Sequence, residues 1–558
     1  MSHVGAVIGG SLTKSVEVRL EPGREAALGQ YVRIPLDDAA SLLGMVTDIL
    51  LRAAEPGATS WPPPAGDDPA SSLLREVMLD TGVYTAIEVN PYLEVPADGS
   101  EPSRARRLPR HFAPVSLADQ HTLNSAFQVG ESRDAFKLGA PLGMDEVMLH
   151  VDVEKLFERS AGIFGKSGTG KSVYALQFLD ALVSHARQAT SRDERTVALV
   201  FDMHNDYGEY MKFEGGQRRS LKGLHRSDVA LYSLERDAAG IDGQVIIGTR
   251  DIEPEDIEIL QSTAYFTAAA VEVSHECRQR FGPQWIDELL ADDPSPAVLR
   301  RLAFDDGDDA VKWPQVATRI SAHPGSFENL RRGLRRLVRR PFVQSGSAGF
   351  SGVIDHIVAT LRGGKSVVIQ FGRLGSDLTS YMLVANMLSR RIWEEYRDEM
   401  EKARGETSRE PNRLVIAIEE AHKFVDRSVA GQTIFGQIAR ELRKYNVTLL
   451  IIDQRPSQID SEVLSQIGTK FCLQLDSDAD VEALVGGMSG RAGLRQVIAA
   501  LESRRQALVF GHALPMPVVV RPQELTRDYQ PGASLRERLN PNANGAATSS
   551  TAKKGLFS

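Results

Sequence analysis

The chain has 558 residues, more than one ordinary hydrophobic core contains, so we expect two or more domains. Hydrophobic residues make up 42% and charged residues 25%, as in a soluble protein, and no apolar run approaches the roughly 18 residues that span a membrane. The formal net charge of −9 argues against a surface coated for nucleic acid, although it is compatible with a locally basic channel inside an assembly.

The cysteines and the N-terminus indicate the cellular compartment. Cys277 and Cys472 are isolated and lack the spacing of metal ligands. Such cysteines are typical of a reducing environment, where each packs as a small side chain. The first residues lack the basic and then apolar pattern of a secretory leader. We therefore expect a cytoplasmic protein.

The N-terminal part of the chain alternates between apolar and polar residues over short stretches that turn residues separate. This pattern is typical of the strands of a small β-barrel. We assign residues 1–150 to such a barrel and its connecting strands, with a loop at 53–75. The predicted strands are 5–10, 16–20, 30–35, 43–50, 84–95 and 146–151.

A glycine-rich loop follows a short apolar stretch at 161–164 and precedes a helix-like stretch at 172–186. Its sequence, GKSGTGKS, fits the phosphate-binding pattern G-x-x-x-x-G-K-[ST]. A loop in this position turns backbone N–H groups and the positive helix end toward phosphate oxygens. A surface turn is the alternative, but the flanking stretches favour a phosphate site. The predicted ATP-binding residues are Gly165, Lys166, Ser167, Gly168, Thr169, Gly170, Lys171 and Ser172.

Two side chains of this loop have specific expected roles in catalysis. Lys171 would reach the β- and γ-phosphates of ATP, and Ser172 would ligate Mg²⁺. The loop therefore predicts both cofactors, ATP and Mg²⁺.

Apolar strands and helix-like stretches alternate through the rest of the chain, which predicts a parallel sheet covered on both faces. We assign 151–210 and 361–520 to this core. Residues 211–360 interrupt the alternation and predict a mostly helical insertion, with 256–270 as its clearest amphipathic run. Residues 540–558 have a composition typical of disorder. The predicted core strands are 161–164, 196–202, 366–371, 413–418, 447–453, 471–475 and 506–510.

Two carboxylates, Glu419 and Glu420, end the apolar strand 413–418. Glu419 would hold Mg²⁺ directly or through water, and Glu420 would polarise the water that attacks the γ-phosphate. The alternative is an acidic first turn of a helix, where carboxylates interact favourably with the helix dipole.

Gln454 follows the strand 447–453, at the sheet edge where ligands bind, and could sense the γ-phosphate or simply end the strand. Arg443, close to Arg440, precedes that strand and could act as an arginine finger in cis or in trans. A solvated helix end is an equal alternative for these arginines.

Residues 329–340 contain six arginines whose four-residue spacing would form a stripe on a helix. Such a stripe could contact DNA phosphates with salt-dependent affinity. We favour the alternatives, a solvent-facing surface or a surface between subunits, because charged stripes usually face solvent. The segment 372–377, after a core strand, is a second candidate for DNA contact. The arginines are Arg331, Arg332, Arg335, Arg336, Arg339 and Arg340.

Taken together, these motifs resemble the HerA-like branch of the HerA/FtsK ATPases over roughly residues 3–530. Asp206 stands where that family usually has Glu, Asn205 where it often has Gly, and Glu419 where many related ATPases have Asp. Besides the barrel and the phosphate loop, the matching residues are Asp202, His204, Asp206, Tyr207, the segment 251–257, Glu419, Glu420, Ala421, His422, Gln454, Arg455 and Pro456.

The resemblance implies an α/β fold with a RecA-like P-loop ATPase core, a small N-terminal barrel and a helical insertion. It also implies a homohexamer, with ATP between subunits and the segment 521–558 bracing neighbours, which moves along duplex DNA as a translocase or helicase. The barrel would dock a nuclease such as NurA, for DNA end processing, or an effector, for antiviral defence.

An ATPase ring that gates an effector without moving along DNA is the alternative function. It uses the same ATP site, so DNA-stimulated hydrolysis would separate the two hypotheses. A coupling ATPase of a secretion or conjugation system is disfavoured, because such proteins commonly carry membrane helices.

Overall fold

The structure is a computed structural model, and most of the chain is described by it. The predicted disordered tail, most of the proposed brace and Arg443 lie outside the described residues. The described residues are 3–55, 59–60, 68–78, 82–127, 135–144, 147–191, 194–213, 216–263, 265–304, 311–346, 350–403, 410–427, 430, 433–441, 445–488, 490–502 and 506–522.

Short runs of β-branched and aromatic residues form the strands. The strands of the N-terminal part are β1 His3–Gly10, β2 Val16–Leu20, β3 Tyr31–Pro35, β4 Ala40–Ala53, β5 Val83–Pro96, β6 Ser103–Arg104 and β7 Pro114–Leu117. The later strands are β8 Ala135–Pro141, β9 Leu149–Asp152, β10 Ala161–Phe164, β11 Thr196–Asp202, β12 Tyr210–Phe213, β13 Gly216–Arg219, β14 Val229–Ser233, β15 Gly243–Gln244, β16 Ile247–Gly248, β17 Val343–Gln344, β18 Ser366–Gln370, β19 Arg413–Glu419, β20 Val447–Asp453, β21 Thr469–Cys472, β22 Ala507–Gly511 and β23 Val518–Arg521.

The helices cover the faces of the core sheet and build the insertion. They are α1 Pro69–Val77, α2 Gln120–Phe127, α3 Val153–Phe157, α4 Lys171–Gln188, α5 Leu221–Leu224, α6 Pro254–Glu258, α7 Ala268–Phe281, α8 Trp285–Leu290, α9 Pro296–Arg301, α10 Trp313–Arg319, α11 Pro324–Leu337, α12 Phe350–Arg362, α13 Leu378–Ala403, α14 His422–Val425, α15 Ile434–Glu441, α16 Ser461–Gln466, α17 Asp478–Val485 and α18 Arg491–Ala499. Among the described residues, none of these helices is both long and apolar enough to cross a membrane.

Within the described residues, six strands close the N-terminal barrel in the order β2, β1, β7, β3, β4 and β5, and β5 pairs again with β2. Every second side chain of β2 points inward, so that Val16, Val18 and Leu20 are buried in the barrel interior. A closed barrel has no free edge strands, which stabilises a small all-β unit.

The core sheet has the order β15, β14, β18, β11, β19, β20, β10, β21, β22, β23, β8 and β9 in the described part of the chain. The strands from β15 to β21 are parallel, and those from β21 to β9 pair antiparallel. Strands β11 and β20 are buried along their whole length, because helices cover both faces of the sheet. The predicted fold class, an α/β core with an N-terminal barrel, is confirmed.

The structure differs from the prediction at the start of the segment 211–360. Strand β14 lies in the core sheet, where it pairs in parallel with β18, although this region was expected to be helical. Its sequence, VALYS, is a short and fully buried run with four apolar residues, for which periodicity cannot distinguish a strand from a helix. Strands β8 and β9 also join the core sheet, so the barrel ends well before residue 150.

The amphipathic run predicted at 256–270 does not form one helix. Helix α6 ends at Glu258, a 3-10 helix covers Ile259–Thr263, and α7 begins at Ala268. The Thr267 side chain accepts a hydrogen bond from the backbone N–H of Ala270 and caps α7. The cap starts a new helix inside a stretch whose periodicity suggests continuity.

Hydrogen bonds hold the barrel on the antiparallel end of the core sheet. The buried Tyr31 hydroxyl accepts from the backbone N–H of Val519 at 2.8 Å and donates to the carbonyl of Pro517 at 3.4 Å. The Asn90 amide donates to the carbonyl of Gly490 at 3.2 Å. Burial raises the pKa of Tyr31 far above its ordinary range, so the hydroxyl keeps its proton.

Replacement of Tyr31 by Phe should loosen this junction. The backbone N–H of Val519 would lose its buried acceptor, which costs about 1–3 kcal/mol. Thermal unfolding followed by circular dichroism should show a lower melting temperature. The control is Tyr210→Phe, at a tyrosine that is 50% exposed, and it should melt like the parent. Equal melting temperatures for Tyr31→Phe and the parent would contradict this role.

Candidate nucleotide-binding site

The glycine-rich loop connects the end of β10 to the start of α4, as its pattern predicts. Gly170 adopts φ 103°, in the left-handed region that favours glycine, directly before the helix. A Cβ added to Gly165 would lie 2.7 Å from the Cβ of Leu473 and 2.8 Å from the hydroxyl oxygen of Thr169, so these side chains leave no room for another. These two glycines allow the loop to fold tightly against the core sheet.

The Lys171 ammonium lies inside this loop. It donates to the carbonyl oxygens of Gly165 at 2.7 Å and Lys166 at 3.0 Å. Burial lowers the pKa of Lys171, and the nearby carboxylates of Glu420, Asp453 and Glu419 act in the opposite direction. The side chain is therefore positioned where phosphate oxygens would bind, close to three acidic groups.

Sheet register brings the predicted motifs together. Phe164 of β10 is level with Asp453 of β20, and Ile452 is level with Glu419 of β19. Because the three strands are parallel neighbours, their carboxyl ends meet at one edge, beside the phosphate loop. The structure thus places Lys171, Glu419, Glu420 and Gln454 at the same edge.

The Glu419 carboxyl group is buried at the end of β19. Burial, together with the negative charge of Asp206, raises its pKa to about 8. Its Oε1 accepts a long hydrogen bond of 3.4 Å from the Tyr207 hydroxyl. Its Oε2 is buried and has no hydrogen-bond partner within the described residues. A buried oxygen of this kind suits a cation, because a cation would satisfy it and stabilise the ionised form.

The neighbouring groups fit Mg²⁺, which prefers oxygen ligands. The Ser172 hydroxyl hydrogen-bonds to the Asp206 carboxylate, whose pKa is raised mainly by burial. Ser172, Glu419 and Asp206 could therefore hold this ion. The described residues contain no cluster of three or more acidic, His or Cys side chains that would chelate a metal alone. Phosphate and water oxygens would have to complete the coordination.

Tyr381, on α13, fixes the end of β19 and had no signal in the sequence. Its hydroxyl accepts from the backbone N–H of Glu419 at 3.1 Å and donates to the carbonyl of the same residue at 2.9 Å. The ring packs edge-on against Phe371 and Phe424, with centroid distances of 5.0 Å and 5.3 Å. A helix distant in sequence thus sets the position of Glu419.

Glu420 has an unusual backbone and a well-defined carboxylate. Its φ of 49° lies in the left-handed region, which costs a non-glycine residue about 1 kcal/mol or more. The Gln454 amide donates to both carboxylate oxygens, at 3.0 Å and 3.2 Å. The structure thus shows Gln454 in contact with Glu420, a pairing that the sequence did not indicate.

Asp453 is a buried residue of this site that the sequence analysis did not select. Its carboxylate accepts from the backbone N–H and the ring Nδ1 of His422, at 2.7 Å and 2.9 Å. It also accepts from the backbone N–H of Arg455 at 2.6 Å. Asp453 therefore holds the segments that follow β19 and β20 against each other. The sequence feature that could have identified Asp453 is its position as the last residue of an apolar strand.

The segment after β11 carries the residues that depart from the family pattern. The Asp202 carboxylate accepts from the backbone N–H groups of Asp206 and Tyr207, at 2.7 Å and 2.9 Å, and shapes the turn. Asn205 has φ 61°, a conformation that Asn adopts more readily than most residues. Its amide also bonds to the N–H and carbonyl of Gly372, at 2.9 Å and 3.1 Å. Asn205 therefore fits a position where the family often has Gly.

Arg440, one of the two arginines proposed as fingers, does not lie at this edge of its own chain. Arg440 bonds to Glu462 at 2.9 Å and lines a cavity with Ser160 and Thr448, at the amino ends of the strands. Arg443 lies outside the described residues, so its role stays a prediction. Any action of Arg440 on the phosphates would have to come from a neighbouring subunit.

Two family models match the chain. The model of the helicase HerA central domain matches residues 136–392, and the HAS barrel domain model matches residues 4–62. The chain belongs to the HerA/FtsK family of P-loop ATPases. The first match covers the early part of the core and the whole segment 211–360, and the second covers barrel strands β1 to β4.

Curated relatives of the HerA family match most of the chain. The DNA double-strand break repair helicase HerA of Saccharolobus solfataricus is 28% identical over 530 residues, covering 93% of this chain and 91% of that protein. The protein of the same name from Pyrococcus furiosus is 24% identical over 410 residues, covering 70% and 69%. Among solved structures, the bacterial conjugative coupling protein TrwB has a TM-score of 0.41 and 12% identity, covering 69% of this chain and 89% of that one.

Glu419→Gln should stabilise the protein increasingly as pH rises in the absence of Mg²⁺. The pKa of Glu419 is about 8 in the fold against an ordinary value of 4.5, so the folded state keeps a proton that the unfolded state loses. Ionisation of Glu419 in the unfolded state therefore lowers the stability of the parent as pH rises between those two values, by a few kcal/mol in total. Thermal melts with EDTA at pH 5 and pH 8 measure this difference.

The exposed Glu25 supplies the control, and Glu25→Gln should show the same small effect at both pH values. An advantage of Glu419→Gln that is equal at pH 5 and pH 8 would contradict the raised pKa.

Proposed function

We propose that this protein is a Mg²⁺-dependent ATPase that assembles as a homohexamer and couples hydrolysis to movement along duplex DNA, as a translocase or helicase. The main observation behind this proposal is that Lys171, Glu419 and Glu420 lie close together at one edge of the core sheet. A lysine for phosphate, a buried carboxylate for the metal and a second carboxylate for water are the parts that ATP hydrolysis requires. The names of the curated relatives support an action on DNA.

The phosphate loop Gly165–Ser172 would bind ATP through its backbone N–H groups and the end of α4. Lys171 would exchange its contacts with two loop carbonyls for the β- and γ-phosphate oxygens. Ser172 and Glu419 would hold Mg²⁺, which neutralises the charge of the phosphates. Asp206, which contacts Ser172, would orient that hydroxyl.

Glu420 is the proposed general base. Its carboxylate takes a proton from water as the water oxygen bonds to the γ-phosphorus and the bond to the β-phosphate oxygen breaks. Gln454 holds both carboxylate oxygens and so positions the base. The strained backbone of Glu420 persists because these bonds and the turn around Asp453 and His422 support it.

The proposal extends to the assembly and its partners. In a ring, an arginine of the neighbouring subunit, with Arg443 as the candidate, would complete the ATP site. The barrel would dock a nuclease of the NurA kind or a defence effector, and the complex would process DNA ends or act against viruses in the cytoplasm. The segment 521–558 would brace adjacent subunits.

Lys171→Ala and Glu420→Gln should both abolish ATP hydrolysis but differ in ATP binding. Without the ammonium, Lys171→Ala loses phosphate affinity. Glu420→Gln keeps the loop intact and should bind ATP while its turnover falls by about 10²–10⁴-fold, since it lacks only the base. Steady-state hydrolysis and binding of a fluorescent ATP analogue measure the two effects. Glu25→Gln serves as the charge-matched control, and wild-type turnover by Glu420→Gln would exclude Glu420 as the base.

Gln454→Ala should lower kcat by roughly tenfold and leave the KM for ATP nearly unchanged, because it loosens the base without touching the phosphate loop. Gln454→Glu should be slower still, because a second carboxylate would repel Glu420. ATP titrations of both variants give the kcat and KM values. A raised KM with an unchanged kcat would instead assign Gln454 to γ-phosphate binding.

The rate of ATP hydrolysis with and without linear duplex DNA distinguishes the proposed translocase from a ring that gates an effector. A translocase should hydrolyse ATP faster when DNA is added, and this stimulation should fade as salt weakens phosphate contacts. Hydrolysis that ignores DNA but responds to a protein bound at the barrel would favour the ring that gates an effector.

A further inference from the structure

The six arginines of residues 329–340 divide into two groups. Arg331 is buried, stacks on the Trp313 ring at 4.8 Å and donates to the carbonyl of Leu289 at 2.9 Å. Arg340 is also buried and donates to Asp377 at 3.0 Å. These two arginines hold the insertion together, so the predicted stripe does not form as a single surface.

The other four arginines form an exposed surface that we call the arginine ridge. Arg332, Arg335 and Arg336 lie on α11, and Arg339 follows in the turn after it. At 3.6 residues per turn, the three helical positions occupy an arc of about 100° and so share one face. All are exposed except Arg335, which is partly buried.

The ridge carries positive charge that nearby acids do not neutralise. Glu328, the acidic residue of α11, is bound to the buried Arg331 at 3.3 Å. Among the described residues, no carboxylate forms an ion pair with any ridge arginine. Neighbouring like charges on a helix repel, so a surface of this kind gains stability from a polyanion. The helix dipole favours cations in the last turn, such as Arg335 and Arg336, but gives no reason for Arg332.

We propose that the arginine ridge binds the phosphates of duplex DNA, an inference that rests on the proposed function. The guanidinium group pairs with phosphate through two parallel hydrogen bonds. At 1.5 Å per residue, the helical part of the ridge extends about 6 Å from Arg332 to Arg336, which matches about two phosphates at 3.4 Å per strand, and Arg339 continues the ridge in the turn. The ridge is thus complementary to one strand of the duplex in charge and length.

The ridge also lies next to a chain of contacts that ends at the nucleotide site. Arg340, adjacent to Arg339, donates to Asp377 and to the Ser380 hydroxyl, at 3.0 Å and 2.9 Å. The next residue, Tyr381, holds the backbone of Glu419. DNA on the ridge would therefore contact a segment that is linked, through Arg340 and α13, to the backbone of Glu419.

The test compares the parent with R332A/R336A/R339A, the ridge variant. Binding of a fluorescent duplex is followed by anisotropy from about 50 to 200 mM salt, where the logarithm of affinity falls by about 0.9 per phosphate contact for each tenfold rise in salt. The ridge variant should bind more weakly, with a slope that is shallower by about 2 to 3. R332K/R336K/R339K keeps the charges and should keep most of the slope. If the alanine variant unfolds, R332Q/R336Q/R339Q, which removes the charges but keeps long side chains, replaces it and should show the same loss of slope.

The control is R24A/R106A/R110A, which removes as many exposed arginines from the barrel and should bind DNA like the parent. Equal slopes for the parent and the ridge variant would overturn the proposal. So would a ridge variant that binds DNA normally but changes the mass of the assembly in light scattering, because the ridge would then lie between subunits. A parent that binds no DNA would refute the proposed function itself.

Discussion

The burial of the Glu419 carboxyl group is the constraint on which the rest of the site depends. A carboxylate at that position is unfavourable without a positive partner, and its pKa of about 8 reflects this. The fold nevertheless fixes Glu419 at two points: Tyr207, after β11, contacts its carboxyl group, and Tyr381, on α13, holds its backbone. Elements that are far apart in sequence thus converge on one residue, and a bound cation would favour the ionised form of its carboxyl group.

The surrounding charges follow from the same constraint. Lys171 is the basic side chain that faces Glu419, Glu420 and Asp453, and two of these acids are themselves held by neutral or ring donors. The edge is therefore rich in negative charge and fixed in shape. A site of this kind favours a ligand that brings a divalent cation together with phosphates, because the acidic groups would repel phosphates that arrive without a cation.

The sequence predicted which motifs meet, because parallel strands present their carboxyl ends at one edge. It could not predict Tyr381, which lies in a long helix without a local pattern, or the pairing of Gln454 with Glu420, which depends on sheet order. The sequence did not indicate strand β14, because a run of five buried residues, four of them apolar, has no diagnostic period. The sequence also predicted one exposed stripe of six arginines. It could not show that Trp313, which is distant in sequence and lies on another helix, stacks on Arg331 and removes it from solvent.

The barrel is joined to strand β23 through Tyr31, and this junction has a mechanical consequence. From β23 an unbroken ladder of backbone hydrogen bonds runs through β22 and β21 to β10, the strand that leads into the phosphate loop. A molecule bound to the barrel and a nucleotide bound in the loop would therefore both contact elements attached to the same hydrogen-bonded sheet. If binding of one of them changes the affinity of the other, the second must change the affinity of the first by the same factor.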